Sequence, residues 1–127
     1  MHKVAYNACY GGFNISEEAL HWLEENGSKE TKKALKEQRK EAEKEKDKFD
    51  GNFTLEQHLT YCAGVIFSRH HPDLIRVIET LGNEASGYCS EIKIAKIKGN
   101  LYRIDDYDGC ETVVEPEDYT WINVEEE

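Results

Sequence analysis

Arg69, His70 and His71 stand together just before Pro72-Asp73, a pair suited to open a helix. A guanidinium at a helix start can hold a phosphate through two parallel hydrogen bonds, with free backbone N–H groups supporting the other side. The same arginine can equally form a salt bridge to one of the chain's many acids. A second stretch, Lys3 to Ser16, reads as a strand, a Gly-Gly turn and a helix start. In that order the N–H groups of Gly11, Gly12 and Phe13 can face a phosphate, although neither GxGxxG nor GxxxxGKS/T is present. A tight turn with nothing bound explains the pattern as well. Tyr10 and Phe13 flank the turn and can stack on a base or simply rim the core. Arg103, between Tyr102 and Ile104, can point across a sheet face to a ligand or to Asp105. Asp105 and Asp106 can meet ribose hydroxyls or a metal, or serve only a hairpin tip. Arg76 falls away from the apolar stripe of its helix and reads as solvated. Cys9, close to a helix start, can be sketched as a nucleophile with His70 or His71 as its base, but nothing in the spacing demands it.

These residues need elements to hold them. Val4 and Tyr6 alternate with smaller neighbours, as in a half-buried strand. Ser16 caps a first helix running to Asn26 and stopped by Gly27, with Ile15 and Leu20 at hydrophobic-staple positions. Ser28 to Lys48 has helical composition but few apolar residues, and is expected to be a solvated, charged helical arm of little functional weight. Asp50-Gly51-Asn52 ends it. Thr54 to Gln57 fits a capping box for a short helix, and Tyr61 to Phe67 is ambiguous between strand and helix. Leu74, Val77, Ile78 and Leu81 recur at helical spacing from Pro72 to Gly82. Asn83 to Gly87 can add one more turn. Ile92 to Ile97, Leu101 to Asp106 and Cys110 to Val114 read as a meander, with Asp108-Gly109 as its hairpin signal. Trp121 and Ile122 are expected to anchor the tail. The expected class is α+β: one small antiparallel or mixed sheet, built from the N-terminal strand and the C-terminal meander, covered by two helices.

With 127 residues the chain fits a single domain, carrying the charged insertion at about 28–50. Its net charge of −10 hides an asymmetry. Lys29 to Lys48 holds nine basic and six acidic residues, leaving seven basic against twenty acidic elsewhere. Such a surface repels nucleic-acid backbones, so any bound anion needs a local pocket. No apolar run approaches a membrane span or a signal peptide, and a cytoplasmic location is the expectation. Cys9, Cys62, Cys89 and Cys110 are scattered without a CxxC pair; reduced, mostly buried thiols are expected, and no standard zinc motif appears.

Four runs are distinctive together: Asn7-Ala8-Cys9-Tyr10-Gly11-Gly12-Phe13-Asn14-Ile15-Ser16, Arg69-His70-His71-Pro72-Asp73-Leu74, Leu81-Gly82-Asn83-Glu84-Ala85-Ser86-Gly87 and Tyr107-Asp108-Gly109. They resemble a family of small phage and prophage proteins with an NxCYGGFxLS-type run, an Arg-x-x-Pro helix start and a late YDG turn. This family is similar to the first family of Thoeris anti-defence proteins, sponges that bind glycocyclic ADP-ribose signals made by bacterial TIR proteins. The likeness covers most of the chain outside Lys29 to about Thr60. It departs at Ile15, where Leu is usual, and in lacking arginines after Arg103, the kind of residue that members with a second site for cyclic oligonucleotides would use there, so that second activity is left open.

The resemblance implies sequestration without cleavage, no cofactor and no metal, inside the infected bacterial cell. It also implies a homo-oligomer, a dimer or higher, in agreement with the expectation that so small a chain rarely encloses a ligand alone; whether the pocket spans two subunits stays open. The ligand-facing set it implies is Asn7, Cys9, Tyr10, Gly11, Gly12, Phe13, Arg69, Arg103, Asp105 and Asp106. Arg69 and the N–H groups of Gly11 to Phe13 would take the diphosphate. Tyr10 or Phe13 would stack on the base, and Asn7, Asp105 or Asp106 would meet hydroxyls. The rival readings are an acidic protein-binding inhibitor imitating nucleic acid, which needs carboxylates in a spaced stripe, and a Cys-dependent hydrolase, which needs turnover.

Overall fold

The computed structural model describes residues 2–44 and 54–126; the arm's expected end at Asp50-Gly51-Asn52 lies outside them. Strand β1 (His2–Asn7) leads into helix α1 (Glu17–Asn26). Ser16 caps α1 by accepting from the Ala19 N–H at 3.0 Å, and Gly27 ends it. Helix α2 (Lys29–Lys44) follows, then α3 (Leu55–Tyr61) behind the capping box of Thr54 and Gln57. The ambiguous stretch resolves as a short helix, α4 (Ala63–Ile66). Helix α5 (Pro72–Leu81) carries Pro72 in its first turn, and His71 is its cap, with Nδ1 accepting from the Asp73 N–H at 3.1 Å. A single tight turn over Gly82–Ala85 extends it. Strands β2 (Ile92–Ile97), β3 (Arg103–Tyr107) and β4 (Cys110–Val114) complete the fold.

The class is α+β, but the sheet is in two pieces. β1 pairs antiparallel with β2, from His2 opposite Ile97 to Asn7 opposite Ile92. β3 and β4 form a separate hairpin. Its two-residue turn has Asp108 at φ 51° and Gly109 at φ 86°, the left-handed pair that suits strand twist. The meander breaks between β2 and β3. There the Lys98 N–H donates to the Glu115 carboxylate at 3.2 Å and Leu101 is exposed, so no ladder continues. β1 is more buried than its alternation predicts: Val4 and Ala5 are both fully buried, because α5 and β4 both pack on the strand.

Leu20 and Leu23 of α1, Leu59 of α3, and Leu74, Val77 and Ile78 of α5 fill the core with Ile15, Ala85 and Ile92. Each such Leu or Ile is worth ~1.5–3 kcal/mol relative to exposure. Over residues 28–44 the arm is not a solvated projection. Thr31, Leu35 and Ala42 of α2 are buried, and α2 packs on α1 and α3. Arg39 pins it, donating to Glu24 of α1 at 2.6 Å and to Glu56 of α3. At its start, the Ser28 N–H and Thr31 hydroxyl donate to the buried Asp73 carboxylate at 2.9 and 2.6 Å. Few apolar residues suffice because polar clamps at its start and at Arg39 hold the helix down. The tail departs the other way: Trp121 and Ile122, the expected anchors, are 85% and 91% exposed.

Candidate functional site

The glycine turn after β1 is a junction of three loops. A methyl on Gly11 would overlap the Cys89 carbonyl oxygen and Cβ. A methyl on Gly109 would lie 2.7 Å from the Gly12 nitrogen and the Tyr10 carbonyl oxygen. The glycines therefore serve close approach of backbone to backbone. Asn7 ties the junction together from a fully buried position. Its amide nitrogen donates to the carbonyls of Cys9 (2.6 Å) and Gly109 (2.8 Å), and its amide oxygen accepts from the Glu91 N–H at 2.8 Å. Asn7 is thus committed to structure, and its expected contact with a ligand hydroxyl has no free polar atom to make it.

Arg69 is committed as well. Its guanidinium donates to both oxygens of Glu111, at 2.6 and 2.8 Å, and lies 3.7 Å from the centre of the Phe13 ring. Glu111 also accepts from the Asn7 N–H at 2.8 Å, and its side chain is 5% exposed. This pair locks the β3–β4 hairpin to the helix start, the salt-bridge alternative that the sequence left open. Glu111 carried no signal of its own, being one acid among many. Phe13, with its ring under Arg69 and packed on the core, is likewise withdrawn from base stacking. Tyr10 remains exposed, and Cys9 is half-buried beside it.

The remaining candidates lie elsewhere. Asp106 accepts from the Gly109 N–H at 2.8 Å and so closes the hairpin turn. Arg103 donates to Asp105 at 2.9 Å and rests 4.8 Å from the centre of the Tyr119 ring. It lines a groove of about 460 Å³ with Leu101, Tyr102, Val114, Glu115, Pro116, Tyr119 and Trp121. Tyr102 links this groove to the Arg69-His70 run, because its hydroxyl shares a hydrogen bond with His70 Nδ1 at 2.7 Å. Burial pushes the Tyr102 hydroxyl up, partly offset by the nearby Arg69 charge. The groove's other aromatic walls, Tyr119 and Trp121, come from the 115–121 segment, which returns onto the hairpin, Trp121 being one of the expected tail anchors.

Among the described residues, Cys9, sketched as a nucleophile, is hydrogen-bonded to neither His70 nor His71. His70 is engaged with Tyr102 and His71 caps α5. A thiol–imidazole contact does occur between Cys62 and His58 at 3.5 Å, but burial pushes the Cys62 thiol up, away from thiolate. Among the described residues, His21, Glu24 and Glu56 have spacing that could hold a metal ion. Arg39 spans both carboxylates and already supplies the compensating charge. No helix among the described residues is long and apolar enough to cross a membrane. Compared with family models, curated proteins and solved structures, the chain matches none.

Proposed function

We propose that this protein binds a cyclic ADP-ribose-type signal and sequesters it without cleaving it, as the resemblance to the Thoeris anti-defence sponges implies. In this reading it acts in the cytoplasm of an infected bacterial cell and withholds the signal from a TIR-based defence. The observation that carries the reading is the groove of Arg103, Tyr102, Tyr119 and Trp121. It joins aromatic faces for a base with a guanidinium for a diphosphate. Among the arginines, Arg39, Arg69 and Arg76 are each held by partners in or against the helical body. Arg103 meets an exposed carboxylate, a pairing that a dianionic ligand can displace at small cost. The diphosphate contact therefore passes from Arg69 to Arg103, and the base from Phe13 to Trp121 or Tyr119. The groove is open on one side, and a second copy of the chain would close it over a bound ligand.

Calorimetry with a glycocyclic ADP-ribose, followed by heat release and analysis of the recovered ligand, tests this. Tight binding and recovery of the intact ligand are expected. Arg103→Ala and Trp121→Ala should each weaken binding about tenfold or more, with melting temperature unchanged in the absence of ligand. Unchanged affinity in both variants, or recovery of a cleaved product, overturns the reading.

A further inference from the structure

Three large apolar side chains stand in water within four residues of the tail: Trp121, Ile122 and Val124, 85%, 91% and 86% exposed. Leu101, also exposed, shares the rim of the Arg103 groove with Trp121. Together they present several hundred Å² of apolar surface, and patches of that size on a soluble chain mark interaction sites.

The segment is mounted on the hairpin. The turn over Pro116–Asp118 is closed by the Glu115 N–H, which donates to the Asp118 carboxylate at 2.7 Å. The Tyr119 ring lies under Arg103, and the Trp121 ring sits 6.4 Å from that of Tyr119. An apolar anchor with a fixed base loses less freedom when a partner covers it.

The charge around this patch has one sign. From Ile104 to Glu127 the sequence holds ten Asp or Glu and no Lys, Arg or His. Arg69 meets Glu111 and Arg103 meets Asp105. Glu115 and Asp118 accept from backbone N–H groups, of Lys98 at 3.2 Å and of Glu115 at 2.7 Å. Those bonds fix the carboxylates and leave their negative charge in place. Glu117 and Glu125 flank the apolar residues on either side. Acids around an apolar centre repel nucleic acid and anionic lipid, and they complement a basic protein surface. We propose that the tail docks a basic amphipathic segment of another protein, with apolar side chains on Trp121, Ile122 and Val124 and Lys or Arg against Glu117 and Glu125. Ile122 and Val124 stand beyond the lining of the Arg103 groove, and this docking surface does not depend on the sequestration reading.

An amphipathic helical peptide of Leu and Lys, with an oligolysine of equal charge beside it, tests this by calorimetry on the full chain. The Leu/Lys peptide should bind saturably and at least about tenfold tighter than the oligolysine. Ile122→Ser/Val124→Ser, at positions exposed enough to leave the fold intact, should weaken the Leu/Lys peptide about fivefold or more and leave the oligolysine unchanged. Glu117→Gln/Glu125→Gln should weaken both peptides about twofold or more and flatten their salt dependence. Equal affinity for the two peptides, binding by Ile122→Ser/Val124→Ser that matches the parent, or binding indifferent to salt overturns the proposal. Sedimentation of the parent as an oligomer that the same Ser variant dissociates also overturns it, because a second copy would then cover the tail.

Discussion

Replacing Arg69 with alanine separates a ligand clamp from a structural lock. The guanidinium donates to both oxygens of Glu111 and covers the Phe13 ring at 3.7 Å. Its removal strands a carboxylate that is 5% exposed, with the Asn7 N–H as its remaining partner. Breaking a buried ion pair from one side costs ~3–5 kcal/mol, and a desolvated cation–π contact adds ~1 kcal/mol. Arg69 itself is 18% exposed, so water admitted to the gap recovers part of this and a net loss of ~3–4 kcal/mol is expected. For a domain of this size that is a fall of roughly 10–20 °C in melting temperature. Urea and thermal unfolding of Arg69→Ala read it directly. The double variant Arg69→Met/Glu111→Leu should regain part of the loss, because no charge is left buried, while the Asn7 N–H, now without its acceptor, keeps back the rest. Melting within ~1 kcal/mol of the parent for Arg69→Ala refutes the reasoning. A double variant no better than the single one does too, since it would show that the stranded carboxylate is not the source of the cost.

Asp73 gives a pH signature. Burial alone would push its carboxyl up, but hydrogen bonds from Thr31 and Ser28 outweigh it and hold the group at about 2 against 3.8. The folded value is depressed, so its stabilisation is present above about 3.8 and lost as pH falls through about 2. The amount is about 2 kcal/mol, and Asp73→Asn should flatten stability over that window in urea titrations at stepped pH. Leu35→Ala should cost about 2–4 kcal/mol, and Arg39→Ala should speed hydrogen exchange along α2; a Leu35→Ala change within ~0.5 kcal/mol would restore the solvated-arm view. Gly11→Ala should destabilise by about 2–3 kcal/mol, since its methyl meets Cys89 backbone. Gly99→Ala, facing open space, should stay within ~0.5 kcal/mol, and equal melting of the two variants would contradict the three-loop junction.

The elements governed by local chemistry were legible in the sequence. Ser16, Gly27, Thr54 with Gln57, and Pro72 mark helix ends where the structure has them, and Asp108-Gly109 turns the hairpin. Pairing over long range was not legible. Nothing in the residues joins Arg69 to Glu111 rather than to a ligand, because an exposed clamp and a buried lock draw on the same guanidinium. The arm misled for a related reason: counting apolar residues misses burial secured by Arg39 and Asp73. The Arg103 groove was half visible: Arg103 was singled out and Trp121 expected as a tail anchor, but neither was tied to the other or to Tyr119.

The pairing of β1 with β2 also fixes the order in which the molecule can form. His2 lies opposite Ile97, and the Asn7 N–H reaches Glu111, 104 residues away. The first strand made during synthesis thus waits for a partner near the far end of the chain. Closing such a span is costly in entropy and slow, whereas α1 through α5 can assemble from nearer neighbours. Until that partner is made, the first strand has no ladder and the glycine turn lacks Cys89 and the Gly109 carbonyl that close on it. The junction at Asn7, and with it the seat of the β3–β4 hairpin, is set only after residue 111 has cleared the ribosome. The joint between the chain's two ends is therefore a late one, and a chain cut short before Glu111 lacks both the acceptor of the Asn7 N–H and the partner of Arg69 that unite the two sheets.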